Sequence, residues 1–319
     1  MKQIHFTLVN YAHGGADCSG RTGLQTSWDL DGLVEILQNG TRWPDHLTVL
    51  EAEQWDRQGG ALMYAAADKL RQASGGVPYV PLLSSLTHNR GPIAPCVFVN
   101  ANRVVTREWH DGSGPDFYED ARGRMLCRLA EDGDDPEDRS LWFRTRAAHL
   151  CPWSAHRKMI DVEALRNEGN PQMPSVVFLD ANSTLSGPGW ERTDLDDPRR
   201  DRWHCAPQID FLFERLFGKV RPNTAPLDYL CGRWQKGRRR WWVIGKRLPG
   251  RRVGGAGMFS VADLVGDQTP TKPPHPHFQS LVTSHVLVNA RWKDRITHYK
   301  VIDSLGKTDH HGVEVSVLR

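Results

Sequence analysis

Several apolar runs of this 319-residue chain stop on side chains that can do chemistry. IHFTLVN stops at Asn10, HLTVLE at Glu51 and VVFLDAN at the pair Asp180 and Asn182, while Asp309 and His310 stand just ahead of the alternating run GVEVSVL. A hydrophobic strand needs no carboxylate, amide or imidazole at its end. If these ends converge they form a small acidic bowl, in which carboxylates hold a hard cation, amides bind phosphate oxygens and imidazole transfers a proton or meets an anion. That is equipment for phosphoester hydrolysis.

The elements that must position these residues can be read from period and punctuation. Ile4, Phe6 and Leu8 alternate, as do Val313, Val315 and Val317, so each run is a strand with at least one buried face. HLTVL is a short apolar strand, and Val176 to Leu179 form a continuous apolar run of the kind buried on both faces. CVFVNANRVV reads as a strand, and LWFRTRAAHL as another ending near His149. Between them, Leu30, Leu33, Val34 and Leu37 share a helical face closed by Asn39 and Gly40. ALMYAAADKLRQASGG, RKMIDVEALRNEG and QIDFLFERLFGK also read as helices. Helices and strands therefore alternate.

Composition bounds the rest. With 39% hydrophobic residues and twelve Trp the chain can build a real core, and 41 Lys and Arg against 38 Asp and Glu leave a net charge of +3. Such a balance announces neither a nucleic-acid nor a membrane partner. The six cysteines are scattered without a CxxC pair, which gives no zinc signature, and no run is long enough to cross a bilayer. A cytoplasmic protein with reduced thiols and no membrane span is expected. One local feature stands out: GRWQKGRRRWWVIGKRLPGRR, residues 232–252, is dense in Arg and Lys and interleaved with Trp. It either tracks a polyanion, with Trp stacking on bases, or is a solvated face. A Pro-rich loop near residues 269–277 follows, and His275 and His277 within it have no Cys/His cluster to make them a metal site.

In this order the motifs resemble those of the endonuclease/exonuclease/phosphatase superfamily, whose deoxyribonuclease I-like members hydrolyse phosphoesters with Mg²⁺. FTLVNYAHGG looks like the first strand with its Asn, PDHLTVLEAEQW like the Glu-bearing segment, and RTRAAHLCPWSAHRKMIDVEAL like the HL strand with its following helix. FLDANST resembles the GDxN element and KTDHHGV the SDH element. The resemblance implies one domain over residues 1–319, a four-layer α/β/β/α sandwich of two mixed sheets with outer helices and the site at one rim. It implies Mg²⁺, with Mn²⁺ as the alternative, held by Glu51 with Asn10 near it. It implies Asp180 handling water, Asn182 orienting the phosphate or nucleophile, His149 and His310 contacting phosphate oxygens, and Asp309 holding local geometry.

Two departures bear on activity. Leu179 stands where the family has glycine, and Gln279, by spacing, where the family has the Asp that orients its last His. The orienting partner of His310 is therefore unassigned, and Glu53 is read as a surface acid rather than a ligand. The expected function is a Mg²⁺-dependent, nuclease-like phosphodiesterase with in-line water attack, acting on a phosphoester such as DNA or RNA. The alternatives are a lipid or sugar-phosphate phosphatase, or a non-catalytic binding protein that keeps the fold with a weakened site. The sequence is silent on oligomeric state.

Overall fold

The computed structural model describes residues 2–16, 27–52, 54–84, 94–111, 123–133, 135, 138–190, 215–218, 221–237, 249–274 and 280–319. Along the chain run β1 (Gln3–Asn10), α1 (Leu30–Gln38), β2 (His46–Leu50), α2 (Arg57–Ala73), β3 (Tyr79–Leu83) and β4 (Cys96–Asn100). Then come β5 (Val104–His110), β6 (Arg124–Leu129), β7 (Phe143–His149), α3 (Ala155–Glu163), β8 (Ser175–Asp180) and α4 (Ala225–Cys231). They are followed by β9 (Arg233–Gln235), β10 (Arg251–Val253), β11 (Met258–Ser260), α5 (Val261–Val265), β12 (Ser284–Asn289), β13 (Ile296–Ile302) and β14 (Gly312–Leu318).

Two six-stranded sheets result, in the orders β13-β14-β1-β2-β4-β3 and β11-β12-β8-β7-β6-β5. Each is mixed, with one parallel pair at its centre: β1 with β2 in the first sheet and β7 with β8 in the second. The alternation read in the sequence decides how they stack. Ile4, Phe6 and Leu8 of β1 and Val313, Val315 and Val317 of β14 meet Val176 and Phe178 of β8 and Val286 and Val288 of β12 in one buried cluster. Phe6 and Phe178 rings lie 5.6 Å apart across this interface. The opposite faces take helices. Val9, Leu47 and Val49 pack under Leu33, Ile36 and Leu37 of α1 and Met63 and Leu70 of α2. Val177, Leu179 and Leu287 pack under Val162 of α3 and Leu227 and Leu230 of α4. This is the four-layer sandwich expected.

Local rules set the element ends. Asp29 caps α1 by accepting from the Gly32 N–H at 2.8 Å, and Ser154 caps α3 by accepting from the Arg157 N–H at 3.2 Å. The run CVFVNANRVV is two strands rather than one. Asn100 Oδ1 accepts from the Asn102 N–H at 3.1 Å, and the turn it closes sends β4 in the first sheet into β5 in the second. The helix of RKMIDVEALRNEG ends at Glu163, and a short 3-10 turn follows at Arg166–Gly169. The flanks of the basic run pair as the β9–β10 hairpin, with Trp234 opposite Arg252. Its centre, residues 238–248, lies outside the described residues, as do Glu53, His275, His277, Gln279 and residues 208–214 and 219 of the helix read in QIDFLFERLFGK. Among the described residues no helix is long and apolar enough to cross a membrane.

Candidate active site

Because side chains alternate along a strand, the positions after Leu8, Ala147 and Phe178 that keep the inward direction are Asn10, His149 and Asp180. All three lie where their strands end, at one rim of the gap between the sheets. Asn10 from the first sheet donates through Nδ2 to Asp180 Oδ2 of the second at 2.6 Å, and both residues are fully buried. Glu51 follows the last residue of β2 with φ 58°, a left-handed conformation uncommon for a residue with a side chain. With its chain so turned, Glu51 Oε1 accepts from His149 Nε2 at 3.0 Å, while Oε2 takes a long 3.4 Å contact from the His13 N–H.

Asp180 Oδ2 is the hub. It lies 3.7 Å from His149 Nε2 and 3.6 Å from His310 Nδ1, in addition to its bond with Asn10. The second oxygen, Oδ1, accepts from the backbone N–H of Asn182 at 2.9 Å, and Asn182 itself has φ 43°. Thus Asn182 reaches the hub through its backbone. Its side-chain amide is turned toward the end of β7, donating to the Leu150 carbonyl at 3.4 Å. Asp309 sits at the margin, half exposed, 3.9 Å from His310 Nε2.

Three further residues complete the arrangement. Ser284 opens β12 directly opposite Asp180 in the register, and its hydroxyl lies 3.2 Å from His310 Nδ1. This is the partner of His310 that spacing alone did not identify, a neutral hydroxyl at the last position of the segment HFQSLVTS. Lys272, in the Pro-rich loop, lies 3.2 Å from His310 Nε2 and pairs with Asp309 at 3.1 Å. Since an ammonium can only donate, Nε2 is the accepting nitrogen of a neutral His310 and Nδ1 carries the hydrogen toward Ser284 and Asp180. Lys158 of α3 is fully buried and donates to the Asn182 carbonyl at 2.5 Å, holding the left-handed turn from behind. Its burial shows only in the folded structure, and nothing in RKMIDVEAL marks it.

Electrostatics separate the two histidines. Burial opposes the charge of His149, but the hydrogen bond to Glu51 and the charge of Asp180 outweigh it and raise its pKa. Burial pushes His310 down, and although Asp180 pulls it up, Lys272 adds to the lowering. Burial alone would raise both carboxyls. His310 whenever it is protonated, the charge of His149 and the Asn182 N–H hold Asp180 below its usual range, and the His149 hydrogen bond and charge do the same for Glu51. Burial brings Lys158 down to about 8 despite the pull of Asp180.

The site fits a hard divalent cation. Ligand atoms of Glu51, His149 and Asp180 all lie within 4.8 Å of one another. Asn10 Oδ1 is buried with no hydrogen-bond partner among the described residues, which leaves a carbonyl-type oxygen beside two carboxylates. The oxygens of Glu51, Asp180 and Asn10 suit Mg²⁺ or Mn²⁺ better than a soft metal.

No family model and no curated protein matches this chain. Solved structures do. An endonuclease/exonuclease/phosphatase from Beutenbergia cavernae matches with a TM-score of 0.51 at 13% identity, over 99% of this chain and 72% of that one. A humanised D. rerio TDP2 matches with a TM-score of 0.50 at 12% identity, over 99% of each chain. The human Nocturnin catalytic domain with bound sulfate matches with a TM-score of 0.50 at 11% identity, over 98% of this chain and 92% of that one.

Proposed function

From the deoxyribonuclease I-like fold that this chain shares with endonuclease/exonuclease/phosphatase proteins, we propose that it is a divalent-metal-dependent phosphoester hydrolase of the phosphodiesterase type. The observation that carries the reading is the hub: Asp180 Oδ2 within 3.7 Å of Asn10, His149 and His310, which arrive from distant parts of the sequence and from both sheets. Phosphoryl chemistry uses that set, because it needs charge neutralisation, an oriented water and donors for the phosphate oxygens.

Glu51, with Asn10 beside it, would hold the cation; when bound, the cation neutralises charge on the phosphate and on the departing oxygen. Asp180 orients the attacking water. A carboxyl kept below its usual range is a weak base, so its first contribution is a fixed acceptor rather than strong proton abstraction. His149, whose pKa is raised by Glu51 and Asp180, offers an N–H to a phosphate oxygen once the cation has taken Glu51. His310, held neutral and aimed by Ser284, offers a second N–H from the other side of Asp180. Lys272 with Asp309 fixes the outer edge of that imidazole. Asn182 closes the turn that aims Asp180, and rotation of its amide from the Leu150 carbonyl would present a further donor to the phosphate. Attack in line with the leaving oxygen requires no covalent intermediate.

The test is hydrolysis of single- and double-stranded DNA, RNA, a chromogenic phosphodiester and phosphomonoesters, each with Mg²⁺, Mn²⁺ or chelator. Diester cleavage that stops with chelator is expected. Metal-independent turnover, or turnover of no phosphoester at all, would sink the reading.

A further inference from the structure

Just beyond the catalytic turn, the structure opens a cleft of about 840 Å³ between α3, the segment 186–189, α4 and β9. Its lining includes three cations, Arg221, Arg233 and Lys236, against one carboxylate, Asp228. Asp228 is committed to the framework, since its two oxygens accept from Ser186 Oγ at 2.6 Å and Thr224 Oγ1 at 2.9 Å. Arg233 and Lys236 are exposed. Among the described residues the cleft therefore presents net positive charge to solvent, in a protein whose overall balance is nearly neutral.

The cleft is built on the chain that leaves the active site. Ser183, the residue after Asn182, donates to the Asn223 carbonyl at 2.6 Å, and the Trp234 N–H donates to Ser186 Oγ at 2.9 Å. Ser186 is four positions after Asn182, so the cleft begins at most about 14 Å from the catalytic turn. Trp234 belongs to the wall rather than to a stacking platform. A Cβ on Gly187 would lie 2.9 Å from its Cγ and one on Gly250 would lie 2.3 Å from its Cζ2, so both backbones press on the indole, and Arg252 lies 5.9 Å over the ring. What the cleft offers a ligand is positive charge, with Tyr229 and Met159 as apolar floor.

We propose that this cleft is a second phosphate-binding subsite, which holds the backbone of a single nucleic-acid strand a few nucleotides from the scissile phosphate. The assignment rests on the phosphodiesterase reading of the rim and deepens it: a cationic cleft within reach of the catalytic turn is of use to a substrate carrying repeated phosphates. A phosphomonoester of a small molecule would end before reaching it. Arg233 and Lys236 meet phosphates, and Ser186, Asp228 and Trp234 hold the wall that carries them.

The probe is a fluorescein-labelled oligothymidylate, titrated against the Asp180→Asn protein so that binding is read without cleavage. The comparison is that protein, its Arg233→Ala/Lys236→Ala derivative, and a charge-matched derivative, Arg291→Ala/Arg295→Ala, whose exposed arginines lie past the far end of β12. Loss of two phosphate contacts is expected to weaken binding about tenfold near physiological salt and to flatten the slope of log affinity against log salt by about 1.4, while the far pair changes neither. Equal melting temperatures exclude unfolding as the cause; should the double derivative unfold, Arg233→Gln/Lys236→Gln replaces it. An unchanged slope, an equal loss in the far pair, or no binding of the oligonucleotide overturns the assignment. If Arg233 and Lys236 govern binding but the wild-type protein cleaves no phosphodiester, the cleft stands and the hydrolase reading falls.

Discussion

The carboxylate of Asp180 is set among neighbours that differ in kind, and each can be removed separately. Ser284 is the least expected of them. A neutral hydroxyl orients His310 where the resemblance led to an Asp, so the imidazole is aimed without being held charged. Ser284→Ala should lower kcat roughly tenfold with KM little changed and move the pH profile where His310 titrates, and Thr should restore part of both. A loss without any change in the profile would make Ser284 merely structural. His149 behaves in the opposite sense. Its native pKa is raised by Glu51 and Asp180, so the stability it contributes is present below its ordinary value of about 6.5 and fades as pH rises through the native value. The same pairing must yield when a cation takes Glu51. Mg²⁺ affinity, measured calorimetrically from about pH 6 to about pH 9, should therefore strengthen with pH, and Glu51→Gln should remove that dependence. These residues were legible in unequal degree. Asn10, Asp180 and His149 end apolar runs and could be read, whereas Ser284 and Lys272 carry no such mark because only the folded sheets bring them to His310.

At the scale of the element, the period of two in β8 explains a substitution that the sequence left as a doubt. Leu179 replaces a glycine of the family pattern, but it points away from Asp180, fully buried against Leu150, Val162 and Leu230 beneath α3 and α4. It therefore fills the outer layer and leaves the rim alone. Leu179→Ala should cost about 3 kcal/mol in denaturant unfolding and leave KM for a small diester unchanged. A stable variant with altered KM would show that Leu179 shapes the site. The turn after β8 is where sequence reading fell short. DAN signalled a polar strand end, yet the left-handed Asn182 is held by Lys158 of α3, a contact that no local pattern encodes. CVFVNANRVV reads as one strand from its apolar flanks, but Asn100, Asn102 and Arg103 interrupt it, and the Asn100 turn sends the chain from the first sheet into the second.

Across the whole molecule, each sheet supplies part of the site: Asn10 and Glu51 lie at the ends of strands in the first, His149, Asp180 and Ser284 in the second, and His310 just ahead of β14 returns to the first. Alternation and order along the chain made the sandwich readable, because buried faces and strand-end chemistry repeat at several points. A cation held across this gap, as proposed, would recognise the folded state alone. Saturating Mg²⁺ should raise the melting temperature by several degrees, by mass action on the native state, and Glu51→Gln should abolish the rise. An equal rise in the variant would place the cation elsewhere. If the converged rim hydrolyses phosphodiesters through Asp180, turnover of a chromogenic phosphodiester with Mg²⁺ should fall by at least about a thousandfold in kcat from wild-type to Asp180→Asn protein matched for melting temperature, since the water loses its charged acceptor; turnover of the variant within a few-fold of wild type would rule this out.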